Sequence, residues 1–475
     1  MLIVGLLAVS GCAVAPDDPR PSVVVPMAYK EAPPAEPGWL PAAPADALER
    51  GAWWQLFGDT ELNALMPQVE VSNQNVAAAV AAYAQARAVV RQQRASLFPS
   101  VGLDGSARRS GGAAAVGTAS SLQLGAVASW APDVWGGLRA GVEGAQASAQ
   151  ASDANLAAAR LSAQGELATS YFSLRAADAQ LALLRASVDG YERALKITQD
   201  RYAAAIAAKT DVLQAQTQLA GTRAELATLA IQRAQLEHAI AVLLGKAPAD
   251  FSLPVAAWNM AVPAIPAGLP SELLQRRPDI ASAERAVAAA NAQIGLQRAA
   301  YFPSLTLSGS IGSAGPRVSD LFGASASLWS LGLSVAHTLF DAGATRARVE
   351  GAEAARDAAV ARYRQTVLTA FQAVEDQLSA TRYLAEQASL RRAASEAADL
   401  TEQQLLNRYK QGQVGYTDVI AAQASALSAR RTLAQLAASR QVAAIALIQA
   451  LGGDWQRADG PAQVRSQAAG SIGKP

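Results

Sequence analysis

Apolar residues alternate with small or polar ones at a two-residue spacing in two stretches of this chain. Leu122, Leu124, Ala126, Ala128 and Trp130 are interleaved with Gln123, Gly125, Val127 and Ser129. Trp329, Leu331, Leu333, Val335 and Leu339 are interleaved with Ser330, Gly332, Ser334, Ala336 and Thr338. A period of two predicts a strand with one greasy face. Upstream of each lies a shorter partner, residues 100–108 and 304–313, joined through a Gly/Ser/Ala-rich loop, so each pair predicts a hairpin. Elsewhere the period lengthens. No proline occurs between Pro132 and Pro248 or between Pro316 and Pro461. Both stretches are filled with Ala, Leu, Gln, Arg and Glu, the strong helix formers. Each predicts a long helix (136–205 and 343–411) followed by a return helix (210–245 and 417–452). At 1.5 Å per residue a long arm of about 70 residues reaches roughly 105 Å, far beyond a globular helix, and points to coiled-coil packing. Small residues at three- and four-residue spacing, such as Ala145, Ala149 and Ser152 or Ala352, Ala355 and Ala359, allow close helix contacts.

The two stretches are copies. A constant step of 207 residues separates Arg201-Tyr202 from Arg408-Tyr409, Val142-Glu143-Gly144 from Val349-Glu350-Gly351, and Leu244-Gly245 from Leu451-Gly452. Such a step marks an internal repeat. The expected organisation is a leader at 1–12, a Pro-rich tether at 13–50 and a first repeat at 51–245 with its hairpin at 99–131. A linker at 246–270 leads to a second repeat at 271–452 with its hairpin at 303–340, and a tail occupies 453–475. Aromatics gather at the predicted strand ends (Phe98, Trp130, Trp135; Tyr301, Phe302, Phe340), as at a membrane interface. Four strands cannot close a transmembrane barrel, and an open edge in lipid leaves backbone groups unpaired. If the hairpins enter a membrane, closure needs several chains, and three copies supply twelve strands. The fold class that follows is α+β: a trimeric 12-stranded barrel with four strands per protomer, continuous with a long helical barrel.

Charge and chemistry narrow the function. The net charge of +1 gives no electrostatic reason to expect nucleic acid as a partner. The single cysteine, Cys12, excludes internal disulfides and a Cys-based zinc site. His238 and His337 lack a metal-ligand pattern, so no metal or cofactor is expected. No P-loop, nucleophile elbow or Ser/His/Asp set appears, so no enzyme is expected. The opening MLIVGLLAVSGC is an apolar run ending in small residues before Cys12 and resembles a lipoprotein leader. No Lys or Arg precedes the run, a departure from that pattern. Acylation of Cys12 would add about 0.8 kcal/mol per buried methylene, enough for stable anchoring with several chains. Ala13 rather than Asp follows the cysteine, which by the sorting rule of such lipoproteins favours the outer membrane. Nine prolines between Ala13 and Leu48 predict an extended tether without its own core.

The repeated phrase falls at the turn between outgoing and returning helices. Thr210 and Thr417 are candidate N-caps, Asp211 and Asp418 add charge in the first turn, and Arg201 and Arg408 are placed to reach those carboxylates across the turn. Gly412 stands where the first copy has Ala205; if positive φ is needed there, alanine is disfavoured and the first tip is expected to be less tightly turned.

From Trp53 to Trp455 the chain resembles the TolC-like outer-membrane factors, specifically the NodT-like lipoprotein channels of RND-type efflux systems. The most specific stretch is LPSELLQRRPDIASAERAVAAANAQIGLQRAAYFPSLTLSGS, from Leu269 to Ser310. WWQLFGDTELNAL from Trp53 and RASLFPSVGL ending at Leu103 match nearly as well. The resemblance implies a homotrimer in the outer membrane of a Gram-negative bacterium, with an extended periplasmic portion. It also implies tips that dock on a periplasmic adaptor (a membrane fusion protein) linked to an inner-membrane RND-type pump, and passive export of small molecules. It would place Arg201, Tyr202, Thr210, Asp211, Arg408, Tyr409, Gly412, Thr417 and Asp418 at the tips, with Asp418 and Arg408 as gating candidates. A second carboxylate of the family, one turn after Asp418, is replaced by Ala421. A type I secretion duct shares the fold, and a lipid-anchored periplasmic coiled-coil scaffold would account for the helices but not for two greasy hairpins.

Overall fold

The computed structural model describes residues 22–31, 52–111, 119–265, 276–323 and 326–453. Cys12, the leader, most of the tether and nearly all of the tail lie outside them. The chain divides into two units. One comprises Ala81–Ala154 and Ala281–Thr366 with the residues through Val23; the other comprises Val24–Val80, Asn155–Ile280 and Val367–Pro475.

The first unit is built on a four-stranded sheet of β1 (Ser100–Ser110), β2 (Ala119–Trp130), β3 (Ser304–Gly315) and β4 (Ser327–Ala336), in the order β1-β2-β3-β4. All neighbours are antiparallel. The alternation seen in sequence becomes a shared face through the register: Leu103 lies opposite Ala126, Ala126 opposite Ile311, and Ile311 opposite Trp329. One face therefore carries Leu103, Leu124, Ile311, Trp329, Leu331 and Leu333, all more than a third exposed. The other carries Ser106, Gln123, Ser308, Ser330 and Ser334. Between the hairpins Gly125 faces Gly312, and a Cβ on Gly312 would run into the Leu124 carbonyl oxygen. Strand β4 ends at Ala336, so Leu339, assigned to the strand by its spacing, lies beyond it. The sequence after Ala336 is instead drawn into a helix start. Asp341 accepts hydrogen bonds from the Gly343 and Thr345 amides and the Thr345 hydroxyl at 2.6–2.9 Å.

At the foot of the sheet the repeats are tied together by aromatics. The Trp135 indole donates to the Pro303 carbonyl at 2.7 Å and its ring stacks on Phe302 at 4.9 Å. Trp130 donates to the Leu97 carbonyl at 3.0 Å. Such tryptophans present an apolar body with a satisfied polar edge.

Helices α1 (Thr60–Ser72), α2 (Gln74–Ala95), α3 (Gly137–Ala203) and α4 (Lys209–Leu243) come from the first repeat, and α5 (Pro278–Ala299), α6 (Ala344–Lys410) and α7 (Tyr416–Ala450) from the second. α3 and α6 each run 67 residues, α4 and α7 each 35. Duplication has preserved the lengths to the residue. Pro278 opens α5 because its missing amide is an unpaired donor there in any case. Gly245 and Gly452, with φ of 66° and 95°, close α4 and α7, where a Cβ would strike the Ser72 or the Arg276 carbonyl.

In the second unit Asp59 caps α1, accepting from the Glu61 and Leu62 amides at 3.0 Å and from the Tyr171 hydroxyl at 2.7 Å. Trp53, Trp54 and Phe57 bury against that end of the helix, and Phe57 lies 5.0 Å from Phe172. A buried ion network fixes the linker. Arg175, fully buried, pairs with Asp178 at 3.2 Å and donates to the Pro254 carbonyl at 2.7 Å, and its guanidinium covers the Tyr171 ring. Arg233 bridges Asp178 (2.8 Å), Glu237 (3.0 Å) and the Leu253 carbonyl (2.6 Å). Leaving either charge alone in this interior would cost several kcal/mol, roughly 3–5. The described part of the tether is fastened too: the Lys30 and Glu31 amides donate to the Glu375 carboxylate at 2.8 and 2.9 Å, and Arg382 pairs with Glu31.

Candidate functional site

No group of His, Cys, Asp and Glu able to hold a metal ion occurs among the described residues, and no helix among them is long and apolar enough to cross a membrane. Two other features stand out: the helix-turn-helix tips of the second unit and the open sheet of the first.

The two tips make the same turn. Ala205 donates its amide to Tyr202 O at 2.9 Å and Ile206 to Arg201 O at 2.8 Å; Gly412 donates to Tyr409 O and Gln413 to Arg408 O, each at 2.9 Å. This paired bonding is the Schellman arrangement. It holds Ala205 at φ 60° beside Gly412 at 73°. The expectation of a looser first tip is thus corrected: two hydrogen bonds and the packed return helix offset the strain of a left-handed alanine.

Other tip expectations are also revised. Thr210 and Thr417 are not N-caps, because α4 and α7 begin one residue earlier, at Lys209 and Tyr416, with Ala208 and Gly415 in the uncapped N-cap positions. The cause is tertiary. The Tyr416 side chain is buried within 5.4 Å of the Tyr409 ring, and the Lys209 ammonium lies 5.4 Å from the Tyr202 ring, so both residues are drawn into the first turn. Thr417 instead donates to Gln214 Oε1 at 3.2 Å, linking the return helices of the two repeats. Asp211 and Asp418 do lie in the first turns. Among the described residues neither Arg201 nor Arg408 pairs with them; Arg201 covers the Tyr409 ring at 4.8 Å, and Arg408 is exposed. Tyr409, Tyr416, Val419 and Ala215 form one apolar cluster, in which burial pushes the Tyr416 phenol up to about 12. Spacing in the sequence put these residues at a turn but gave no sign that Tyr416 is interior.

The sheet is unfinished. Its outer strands, β1 and β4, are exposed along their whole length. Each leaves one row of backbone N–H and C=O groups unpaired, an invitation to another strand.

Residues 65–246 and 269–453 match the family described as Outer membrane efflux protein. Relatives include the cation efflux system protein CusC of Escherichia coli strain CFT073, 31% identical over 455 residues, covering 95% of this chain and 97% of CusC. The toluene efflux pump outer membrane protein TtgC of Pseudomonas putida is 31% identical over 472 residues, covering 97% of this chain and 96% of TtgC. Among solved structures, the MtrE outer membrane channel of Neisseria gonorrhoeae in its open state superposes with a TM-score of 0.83 at 28% identity, over 94% of this chain and 99% of that one.

Proposed function

The chain belongs to the outer membrane efflux protein family, and on that premise we propose how three copies make a duct. It is an outer-membrane channel component of an efflux system in a Gram-negative bacterium. The observation that carries the proposal is the apolar face shared by four strands whose two outer strands lack partners. In hydrocarbon such a sheet is stable only when closed. Strand β1 of one copy pairs with β4 of the next, and three copies give a twelve-stranded wall with the greasy face to lipid and the serine-rich face to a water-filled lumen. Cys12, outside the described residues, carries the lipid anchor in the outer membrane.

The tips dock on a periplasmic adaptor that links the duct to an RND-type inner-membrane pump. Arg201, Tyr202, Thr210, Asp211, Arg408, Gly412, Thr417 and Asp418 form that surface, with the buried Tyr409 ring supporting Arg201 from beneath, and Asp418, repeated by threefold symmetry, makes a ring of carboxylates at the entrance. Arg408, exposed on the outgoing arm of the same tip, biases the closed state. Energy comes from the pump. The relatives are named for cations and for toluene, chemically unlike cargoes, so the main selection of cargo rests with the pump and adaptor. The test is the oligomeric state of purified lipidated chain in detergent, followed by reconstitution. A trimer that conducts ions across a planar bilayer is expected, and a monomer that lets none across would overturn the reading.

A further inference from the structure

We propose that Arg108, repeated in each copy, gives the outer mouth of the duct an anion-attracting ring; this rests on the barrel reading above. The four strands hold three ionisable side chains among the described residues, all on β1: Asp104, Arg108 and Arg109. Strand periodicity sends Asp104 and Arg108 to the same face as Ser106 and Ser110, and Arg109 to the apolar face with Leu103. Arg108 lies opposite Ser121 and Asp104 opposite Gly125, so neither meets a counter-charge across β2, and β1 is exposed throughout.

Topology sets the depth. The helices join the sheet at one end and the hairpin loops close the other, so Arg108, near the first hairpin loop, sits at the mouth away from the helices. Residues 112–118 of that loop contain no ionisable residue in the sequence. In the second loop Arg317 and Asp320 carry one charge of each sign, so they add no net charge, and the Asp320 carboxylate accepts from the Arg317 backbone amide. Asp104 lies four residues deeper, about 13 Å along the strand. That exceeds the Debye length of about 8 Å at physiological salt, so each ring acts on its own. Twelve strands about 4.8 Å apart and tilted about 40° enclose a wall roughly 24 Å across. With guanidiniums reaching inward from three sides, every path through the mouth passes within roughly one Debye length of positive charge. Outgoing anions (carboxylates, phosphates, sulfonates) are favoured at the last step, and cations are held back.

Cysteine reactivity measures this potential without depending on the far entrance. Ser110→Cys, on the lumen face and about 7 Å along the strand from Arg108, is introduced into the full chain, and reconstituted trimers are treated with anionic sulfonate and cationic trimethylammonium thiosulfonates. Adding Arg108→Gln should lower the anionic-to-cationic rate ratio roughly 3- to 8-fold at low salt, with the difference vanishing near 1 M, while Arg108→Lys keeps the ratio. Arg109→Gln, on the other face, should move it less than half as far. A ratio unchanged by Arg108→Gln, or moved equally by Arg109→Gln, overturns the inference. Leu103→Cys separates the two readings: no reaction places it against lipid, whereas reaction as fast as at Ser110→Cys means that the barrel reading itself has failed.

Discussion

The guanidinium carbon of Arg201 lies 4.8 Å from the centre of the Tyr409 ring, so the tip of the first repeat holds the tip of the second. A cation over an aromatic face at a partly exposed site contributes about 0.5–1 kcal/mol. Arg201→Ala and Tyr409→Leu should each speed hydrogen exchange of the tip amides, and the double variant should be less than additive by about 0.5–1 kcal/mol because the contact can be lost only once. Strict additivity would show that the two side chains act separately.

The matched turns allow a reciprocal test. Relief of left-handed strain makes Ala205→Gly stabilising by about 1 kcal/mol, and Gly412→Ala should cost a similar amount. Nothing lies within 4 Å of a Cβ built on Gly412, so backbone conformation alone is being tested. Protease nicking at each tip, or amide exchange there, should slow about fivefold in the first variant and quicken in the second.

What the sequence displays and what it conceals divide along physical lines. The strands were legible because alternation at Leu122–Trp130 and Trp329–Val335 separates an apolar face from a polar one, the division a sheet between lipid and water requires. The long helices were legible because proline is absent for over a hundred residues. Helix starts were not. Thr210 and Thr417 look like caps, yet burial of the Tyr416 ring moves the boundary by one residue, a long-range packing effect that outweighs a local hydrogen bond worth about 1 kcal/mol. Asp341, which tethers the start of α6, falls between the expected hairpin (303–340) and the expected long helix (343–411), where the spacing of apolar residues carries no signal. Arg175 and Asp178 stand three residues apart in a helix-forming stretch, a spacing that does not distinguish a buried pair from an exposed one. Only the fold brings Arg233 and the Pro254 carbonyl to them. The interior position of Asp178 therefore had no sequence signal.

Asp418 is exposed in the first turn of α7, with no ion pair among the described residues. On the proposed reading its three copies in a trimer present negative charge at the entrance. Asp418→Ala should lower cation over anion preference roughly 2- to 5-fold, read from the reversal potential in a salt gradient across a planar bilayer. An unchanged reversal potential would remove Asp418 from the entrance.

Tyr416 gives the tip a pH dependence. Burial disfavours the phenolate, so the folded pKa, about 12, stands above the ordinary value of 10.0. The sign follows from linkage: the stabilisation is fully present below pH 10 and is lost as pH rises through 12, because the unfolded chain releases its proton first. Absorbance titration at 295 nm should show a wild-type minus Tyr416→Phe difference curve centred near pH 12. A difference curve centred near 10 would mean that the ring is solvated and the tip cluster open.

The two hairpins meet at a contact between the repeats that contains no side chain at all. Gly125 and Gly312 face each other across β2 and β3, where the backbones approach too closely for a Cβ on Gly312 to clear the Leu124 carbonyl. Gly102, on the same face of β1, has nothing within 4 Å of a Cβ. Gly312→Ala should therefore cost about 1–3 kcal/mol per copy by forcing β2 and β3 apart. Threefold repetition multiplies that cost in the assembled wall, so the yield of heat-resistant trimer on unheated gels should fall sharply. Gly102→Ala, identical in added volume, should leave the yield at the wild-type level. Equal yields from the two would mean that β2 and β3 tolerate separation, and the junction between hairpins would then not be the seam on which assembly depends.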